Sequence, residues 1–212
     1  MFIILDNIFQ YNRLQAMDIN AHIGLRVRTL RDQQGLSLDA LAKRSGVSRS
    51  NISLIERGQS SPTAVVLDKL ATALNVSVAS LFETADGTAC EPSPLARRAE
   101  QPEWTDPDTG YVRRTLSPAM RVPIQLIEVV FPAGKRVAYE TTTREVDIHQ
   151  QLWMLDGVME ITMGDTSWRL EVGDCLAMRR DVPVIFRNAT RKPARYLMAL
   201  TTLPLALGKR AS

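Results

Sequence analysis

With 212 residues, 45% hydrophobic and 23% charged, the chain has the composition of a globular protein and length for two small domains; its net charge of +3 suits an anionic partner without requiring one. Two cysteines, Cys90 and Cys175, lie far apart and form no CxxC pair, which excludes a disulfide framework or a cysteine zinc site and makes a reducing cytoplasm the expected compartment. The opening MFIIL run ends at Asp6, and no stretch approaches the roughly 18 apolar residues of a membrane span, so neither a signal-peptide core nor a membrane association is expected.

Residues 1–19 read as a flexible N-terminal arm, with Met17 as an alternative start. Ile23, Val27 and Leu30 then recur at helical spacing up to Gly35, a C-terminal cap. Ser37 offers an N-cap to a second helix carrying Leu38, Leu41 and Ala42 and stopping at Gly46. Ser48 caps a third, with Ile52 and Ile55 on its buried face, ending at Gly58. Ser61 followed by Pro62 reads as the start of a fourth helix with Val66, Leu67, Leu70 and Leu74 inward. Residues 78–82 form a short fifth helix, so residues 20–83 make one all-α unit.

Residues 84–94 lose all periodicity and read as a linker. Beyond it come short strand-like runs at 111–116, 124–131, 151–155, 160–163, 168–170, 174–178, 184–186 and 196–200. Turn residues separate them, among them Asp156-Gly157 and Gly173-Asp174, a spacing that predicts an antiparallel sandwich or barrel over 95–205, followed by a flexible tail at 206–212. The expected fold class is therefore α + β in two domains, an all-α N-terminal half and an all-β C-terminal half.

Two short helices joined by a tight turn, with Val47, Ile52 and Ile55 locking them, form a rigid wedge that can seat the third helix in a DNA major groove. Its solvent face carries Arg49, Ser50, Ser53 and Leu54, of which Arg49 has the guanidinium that pairs bidentately with guanine. Arg26, Arg28, Lys43 and Arg44 are candidates for phosphate contacts, which set affinity and register. Residues 20–83 hold eight Lys and Arg against five Asp and Glu, an excess equal to that of the whole chain.

The stretch from Ile23 to Phe82 resembles the lambda-repressor-like, Cro/C1-type or XRE helix-turn-helix family over its full length. The resemblance is carried by Leu41-Ala42, Gly46-Val47-Ser48, Ile55-Glu56-Arg57-Gly58 and Pro62. It implies that Ser48, Arg49, Ser50 and Leu54 face DNA, that the neighbourhood of Arg57 and Ser60 approaches phosphates, and that Arg31 and Glu56 form an ion pair bracing the wedge. It further implies a regulator, a repressor before an activator, that binds a palindromic operator as a homodimer.

Residues 95–205 resemble a cupin, the small double-stranded β-helix barrel, through Pro132-Ala133-Gly134, the QQLWMLDG run at 150–157, Gly173-Asp174, Pro183 and Asn188. The departures are informative. In a metal cupin two histidines and a glutamate, then one further histidine, hold the ion. Here Gln150 stands at the glutamate position, Val184 at the last histidine position, and the other two fall within 143–146, where there is no histidine. No cofactor or metal is expected. His149, by strand alternation, faces away from the interior. The interior instead suits a small-molecule effector held by Tyr139, Thr143, Gln150 and Arg179 against Phe186, with a fully packed core as the alternative. Trp153 and Trp168 are expected in barrel or interface packing and Cys175 as inert core. A metal-cupin enzyme tethered to DNA, and an antitoxin-like protein that masks a partner, remain alternative readings.

Overall fold

The computed structural model describes residues 18–82, 93–120, 123–140, 146–179 and 181–204. The expectations for most of the arm, for most of the linker, for the tail and for Thr143 lie outside them.

The N-terminal half contains α1 (Ile19–Gln33), α2 (Leu38–Ser45), α3 (Arg49–Glu56), α4 (Ala64–Ala73) and a 3-10 turn at Val78–Phe82. Each α-helix has a side-chain N-cap, from Asp18, Ser37, Ser48 and Thr63 in turn, which satisfies one orphan N–H of its first turn. Three details differ from the sequence reading. The first helix begins at Ile19, inside the segment assigned to the arm, because the Asp18 carboxylate caps it. The fourth begins two residues beyond Pro62, since Thr63 rather than Ser61 is its N-cap and Pro62 is buried. The fifth helix is 3-10, so there are four α-helices among the described residues.

Ile23, Val27, Leu41, Ile52, Ile55, Leu67, Leu70 and Leu74 are fully buried and form the centre of this half. Gly24 is where α1 crosses α3: a Cβ there would lie 2.1 Å from the Ile55 carbonyl oxygen. Gly46 ends α2 in the left-handed conformation, φ 67°, and turns the chain into α3.

The C-terminal half is a barrel-like sandwich of β1 (Glu103–Thr105), β2 (Val112–Thr115), β3 (Gln125–Phe131), β4 (Arg136–Tyr139), β5 (Val146–Asp156), β6 (Met159–Met163), β7 (Thr166–Leu170), β8 (Cys175–Arg179), β9 (Val184–Arg187) and β10 (Ala194–Pro204). Six strands form one antiparallel sheet in the order β1-β2-β3-β10-β5-β8, and four form the other, β4-β9-β6-β7. Two short strands, β1 and β4, three and four residues long, escape the sequence pattern. β5 and β10 are longer than read, because polar residues such as Asp147, His149 and Thr201 occupy their outer face. Asn188, wholly buried, clamps the β9–β10 turn: its amide donates to the carbonyls of Phe131 and Lys192 and its oxygen accepts from Thr190.

The two halves share one core. Phe82 meets Trp104 edge to face, Trp104 meets Tyr111 in the same way, and Tyr111 stacks on Phe131, with centroids 5.9, 5.7 and 5.6 Å apart. Asp106, just after β1, is buried and accepts the N–H of Ala64 at the start of α4. Its second oxygen accepts from the Thr109 N–H and hydroxyl.

Candidate nucleic-acid interface and barrel cavity

The outer face of α3 is polar and open because Ile52 and Ile55 take up the inner face. Ser48, Arg49, Ser50 and Arg57 are exposed, Ser53 and Ser60 half-buried, and Leu54 is 39% exposed. Ser48 is committed twice: its Oγ accepts the Asn51 N–H at 3.3 Å and lies 3.2 Å from the Ser50 Oγ. The N-terminus of α3 thus offers free N–H groups and a partial positive charge beside two hydroxyls. Arg49 reaches back to Asp39 on α2, Nε–Oδ1 3.4 Å, with both side chains mostly in solvent. Such an exposed pair is worth ~1 kcal/mol or less and yields readily to a base edge. Arg57 donates to the Ser53 carbonyl at 3.1 Å. Lys43 and Arg44 extend into solvent from the last turn of α2. Arg26 differs from the sequence reading: its Nε donates to the Ser80 carbonyl at 3.1 Å, so it fastens α1 to the 3-10 turn.

Arg31 and Glu56 come together as a two-point pair, Nε–Oε1 2.6 Å and Nη2–Oε2 2.9 Å, with side chains only 12% and 7% exposed. Arg31 Nη1 also donates to the Leu36 carbonyl, 2.9 Å, and to Asp32. The hydrogen bond to Glu56 raises the Arg31 pKa further above its ordinary value, against the opposing effect of burial. The pair ties α1 to the end of α3 and to the turn before α2.

Inside the barrel is a cavity of about 80 Å³. Tyr139, Gln150 and Phe186 line it, together with Tyr111, Arg113 and Tyr196. Ser77, Val78 and Ala79, from the DNA-binding half, form one of its walls. Arg179 does not belong to it, which corrects the sequence expectation. It sits on the outer face of β8, where strand pairing places it beside His149, and its Nε donates to Asp147 at 2.8 Å. Burial pushes the Asp147 carboxyl up, but hydrogen bonds from Arg179 and His149 prevail and hold it below its usual value. The buried cation is instead Arg113, on the strand inner face between Val112 and Arg114. Its position follows from alternation in VRRT, yet nothing in the sequence distinguishes it from Arg114, which faces out to Glu103 and Glu128. Burial lowers the Arg113 pKa to about 10.

The two metal positions of the cupin pattern that fall among the described residues, Gln150 and Val184, are buried and hold an amide and an aliphatic side chain. His149 lies on the opposite face of β5, paired with Asp147 at 3.2 Å. Among the described residues no three His, Cys, Asp or Glu side chains converge. Gln150 and Val184 are a poor donor set for iron, manganese or zinc, and the residues present do not fit a cupin metal. One further correction concerns packing: Cys175, expected in the core, is exposed, because it lies on the outer sheet face beside Trp153, which is 48% exposed. Trp168 is half-buried against the core.

A short two-helix wedge with an open, capped second helix, fused to a β-barrel, defines a helix-turn-helix DNA-binding protein. A helix-turn-helix family model (HTH_3) matches residues 27–81. The transcriptional regulator SutR of Escherichia coli is 26% identical over 174 residues, 80% of this chain and 89% of its own. An uncharacterized helix-turn-helix-type regulator of Sinorhizobium fredii, y4dJ, is 38% identical over 72 residues, 34% of this chain and 94% of its own. A crystal structure of an HTH_3 family regulator from Vibrio cholerae has the same fold, with TM-score 0.66 and 24% identity over 86% of this chain and 96% of that one. The chain belongs to the helix-turn-helix-type transcriptional regulators, with a β-barrel as its C-terminal half. No helix among the described residues is long and apolar enough to cross a membrane.

Proposed function

We propose that the protein is a cytoplasmic, non-enzymatic repressor that binds a palindromic operator as a homodimer and releases or grips it according to a small molecule in the barrel. The observation that carries this reading is the shared cavity wall: Ser77, Val78 and Ala79 belong to the DNA-binding half and line the barrel interior. An occupant would touch both halves, which is what a differential effect on DNA affinity needs.

A two-turn recognition helix reads only a few base pairs, so operator-level specificity calls for a second copy about one helical turn away. Support for a second copy comes from the outer face of the six-stranded sheet. There Leu197, Trp153 and Cys175 pair in one row and Leu126, Ala199, Gln151 and Ala177 in the next, apolar or small except for Gln151, with Leu126 and Trp153 well exposed. Charged residues flank this strip, Arg114, Glu128 and Arg195 on one side and Asp147 and Arg179 on the other.

Selection of bound sequences from random duplex DNA, followed by light scattering on the free and DNA-bound protein, tests the proposal. A recurring two-fold-symmetric site bound by two chains is the expected result. Monomeric binding to an asymmetric site, or binding without sequence preference, overturns it.

A further inference from the structure

The cavity contains a charge that the surrounding protein only partly offsets. Arg113 is 6% exposed, its Nη1 donates to the Thr115 hydroxyl at 3.2 Å, and its guanidinium lies 4.1 Å from the centre of the Phe82 ring. Among the described residues no carboxylate is paired with it. A hydroxyl and an aromatic face recover part of the cost of removing a guanidinium from water; an anion recovers far more.

The other polar groups define the rest of the ligand. Burial raises Tyr111 and Tyr196 well above the usual phenol range, so both are neutral O–H donors at physiological pH. Tyr111 and Tyr139 hydroxyls lie 3.3 Å apart. Gln150 is nearly fully buried, lines the same space, and its Oε1 has no hydrogen-bond partner among the described residues. An orphaned acceptor of this kind calls for a donor on the ligand. Apart from Ser77, whose hydroxyl is engaged with Ser80, the remaining walls, among them Ile127, Val129, Val137, Ile148 and Met198, are apolar. At about 80 Å³ the cavity has about half the volume of an apolar cavity that admits benzene, ~150 Å³, which restricts the ligand to a few non-hydrogen atoms.

We propose that this cavity binds a compact aliphatic hydroxycarboxylate, its carboxylate on Arg113 and its hydroxyl donating to Gln150. The assignment rests on the barrel being the sensor. Arg113 lies against Phe82, the last residue of the 3-10 turn, so an anion that draws the guanidinium toward itself loosens a contact that seats the DNA-binding half.

The test uses the full chain with lactate, propanoate, lactamide and 1-amino-2-propanol, read by thermal unfolding, calorimetric titration and operator affinity. Lactate is expected to raise Tm by roughly 5 °C at 100 times its Kd, propanoate by less, and the neutral and cationic probes by nothing measurable. Arg113→Met removes the response to both carboxylates while melting no lower than the parent, and Gln150→Leu reduces lactate to the level of propanoate. Arg113→Lys, which keeps the charge without the fork, weakens lactate by about tenfold and serves if the methionine variant does not fold. Lactamide binding as tightly as lactate, an unaltered lactate response in the Arg113 variants, or no response to either carboxylate overturns the assignment. Operator affinity separates the two claims. Lactate binding that leaves it unchanged upholds the ligand site and sinks the sensor reading; a change driven by lactamide or the amine upholds the sensor and sinks the ligand class.

Discussion

Asp106, a residue of the barrel, caps a helix of the DNA-binding half: its Oδ1 accepts the N–H of Ala64, the first residue of α4, at 2.9 Å. Thr63 caps the same helix from within the DNA-binding half, through the N–H of Val66 at 3.3 Å. Two orphan N–H groups of one helix start are thus satisfied from two different domains.

Asp106→Ala removes this cap and the two bonds to Thr109, and is expected to cost about 2 kcal/mol of global stability in urea denaturation. Asp106→Asn retains acceptor oxygen and is expected to lose about half as much. Limited proteolysis near residue 82 should accelerate in the alanine variant first. Equal stability of all three proteins would contradict the capping role.

Arg31→Ala and Glu56→Ala each strand a nearly buried charge, and each is expected to cost ~3 kcal/mol. The double variant should lose clearly less than the sum of the singles, because the orphaned partner disappears with it. Strict additivity in a double-mutant cycle would mean that the two groups act independently.

At the reading face, Arg49→Ala is expected to relax base preference at one position of each half-site by ~1–3 kcal/mol. Lys43→Ala should weaken all sequences alike and reduce the salt slope by about one. Competition binding against operators substituted at single positions distinguishes them; a uniform loss from both variants removes Arg49 from base readout.

Gly24→Ala places a methyl group on the Ile55 carbonyl, a contact of 2.1 Å that only a shift of α1 against α3 relieves. The expected loss is about 2 kcal/mol or more of stability, with a drop in operator affinity because α3 moves. Tm and anisotropy titrations of the same preparation check both.

Arg113 gives stability a pH dependence of known sign. Its folded pKa, about 10, lies below the ordinary guanidinium value, so above pH 10 the unfolded chain binds more protons and stability attributable to this group rises with pH until the unfolded guanidinium titrates as well. Below about 10 both states are charged and the desolvation cost is present in full. Arg113→Met should therefore be more stable than the parent at pH 8, by on the order of 2 kcal/mol, and the gap should narrow once pH exceeds 10. A constant gap would show that charge burial is not its cause.

Much of the DNA-binding half was legible because its signals are local. Caps at Ser37 and Ser48, the glycine at 46 and the spacing of Ile52 and Ile55 are each decided within a turn or two of chain. The barrel was legible as a class, since alternation and turn residues announce strands, yet its site was not. Whether Arg113 or Arg179 enters the interior depends on strand register, and VRRT offers two adjacent arginines of which one must face out. Arg179 lies one residue past buried Met178, so a single step along β8 decides its face. Gly24 and Asp106 were missed for another reason: each acts on a backbone group more than thirty residues away, and no sequence window contains both partners.

The aromatic run from Phe82 through Trp104 and Tyr111 to Phe131 bears on how such proteins can be recombined. A foreign barrel grafted after Phe82 would have to bring its own equivalents of Trp104 and Asp106, or the seam would leave a bare ring and an unmet N–H. A chimera carrying those two residues should melt in one transition, and one lacking them in two.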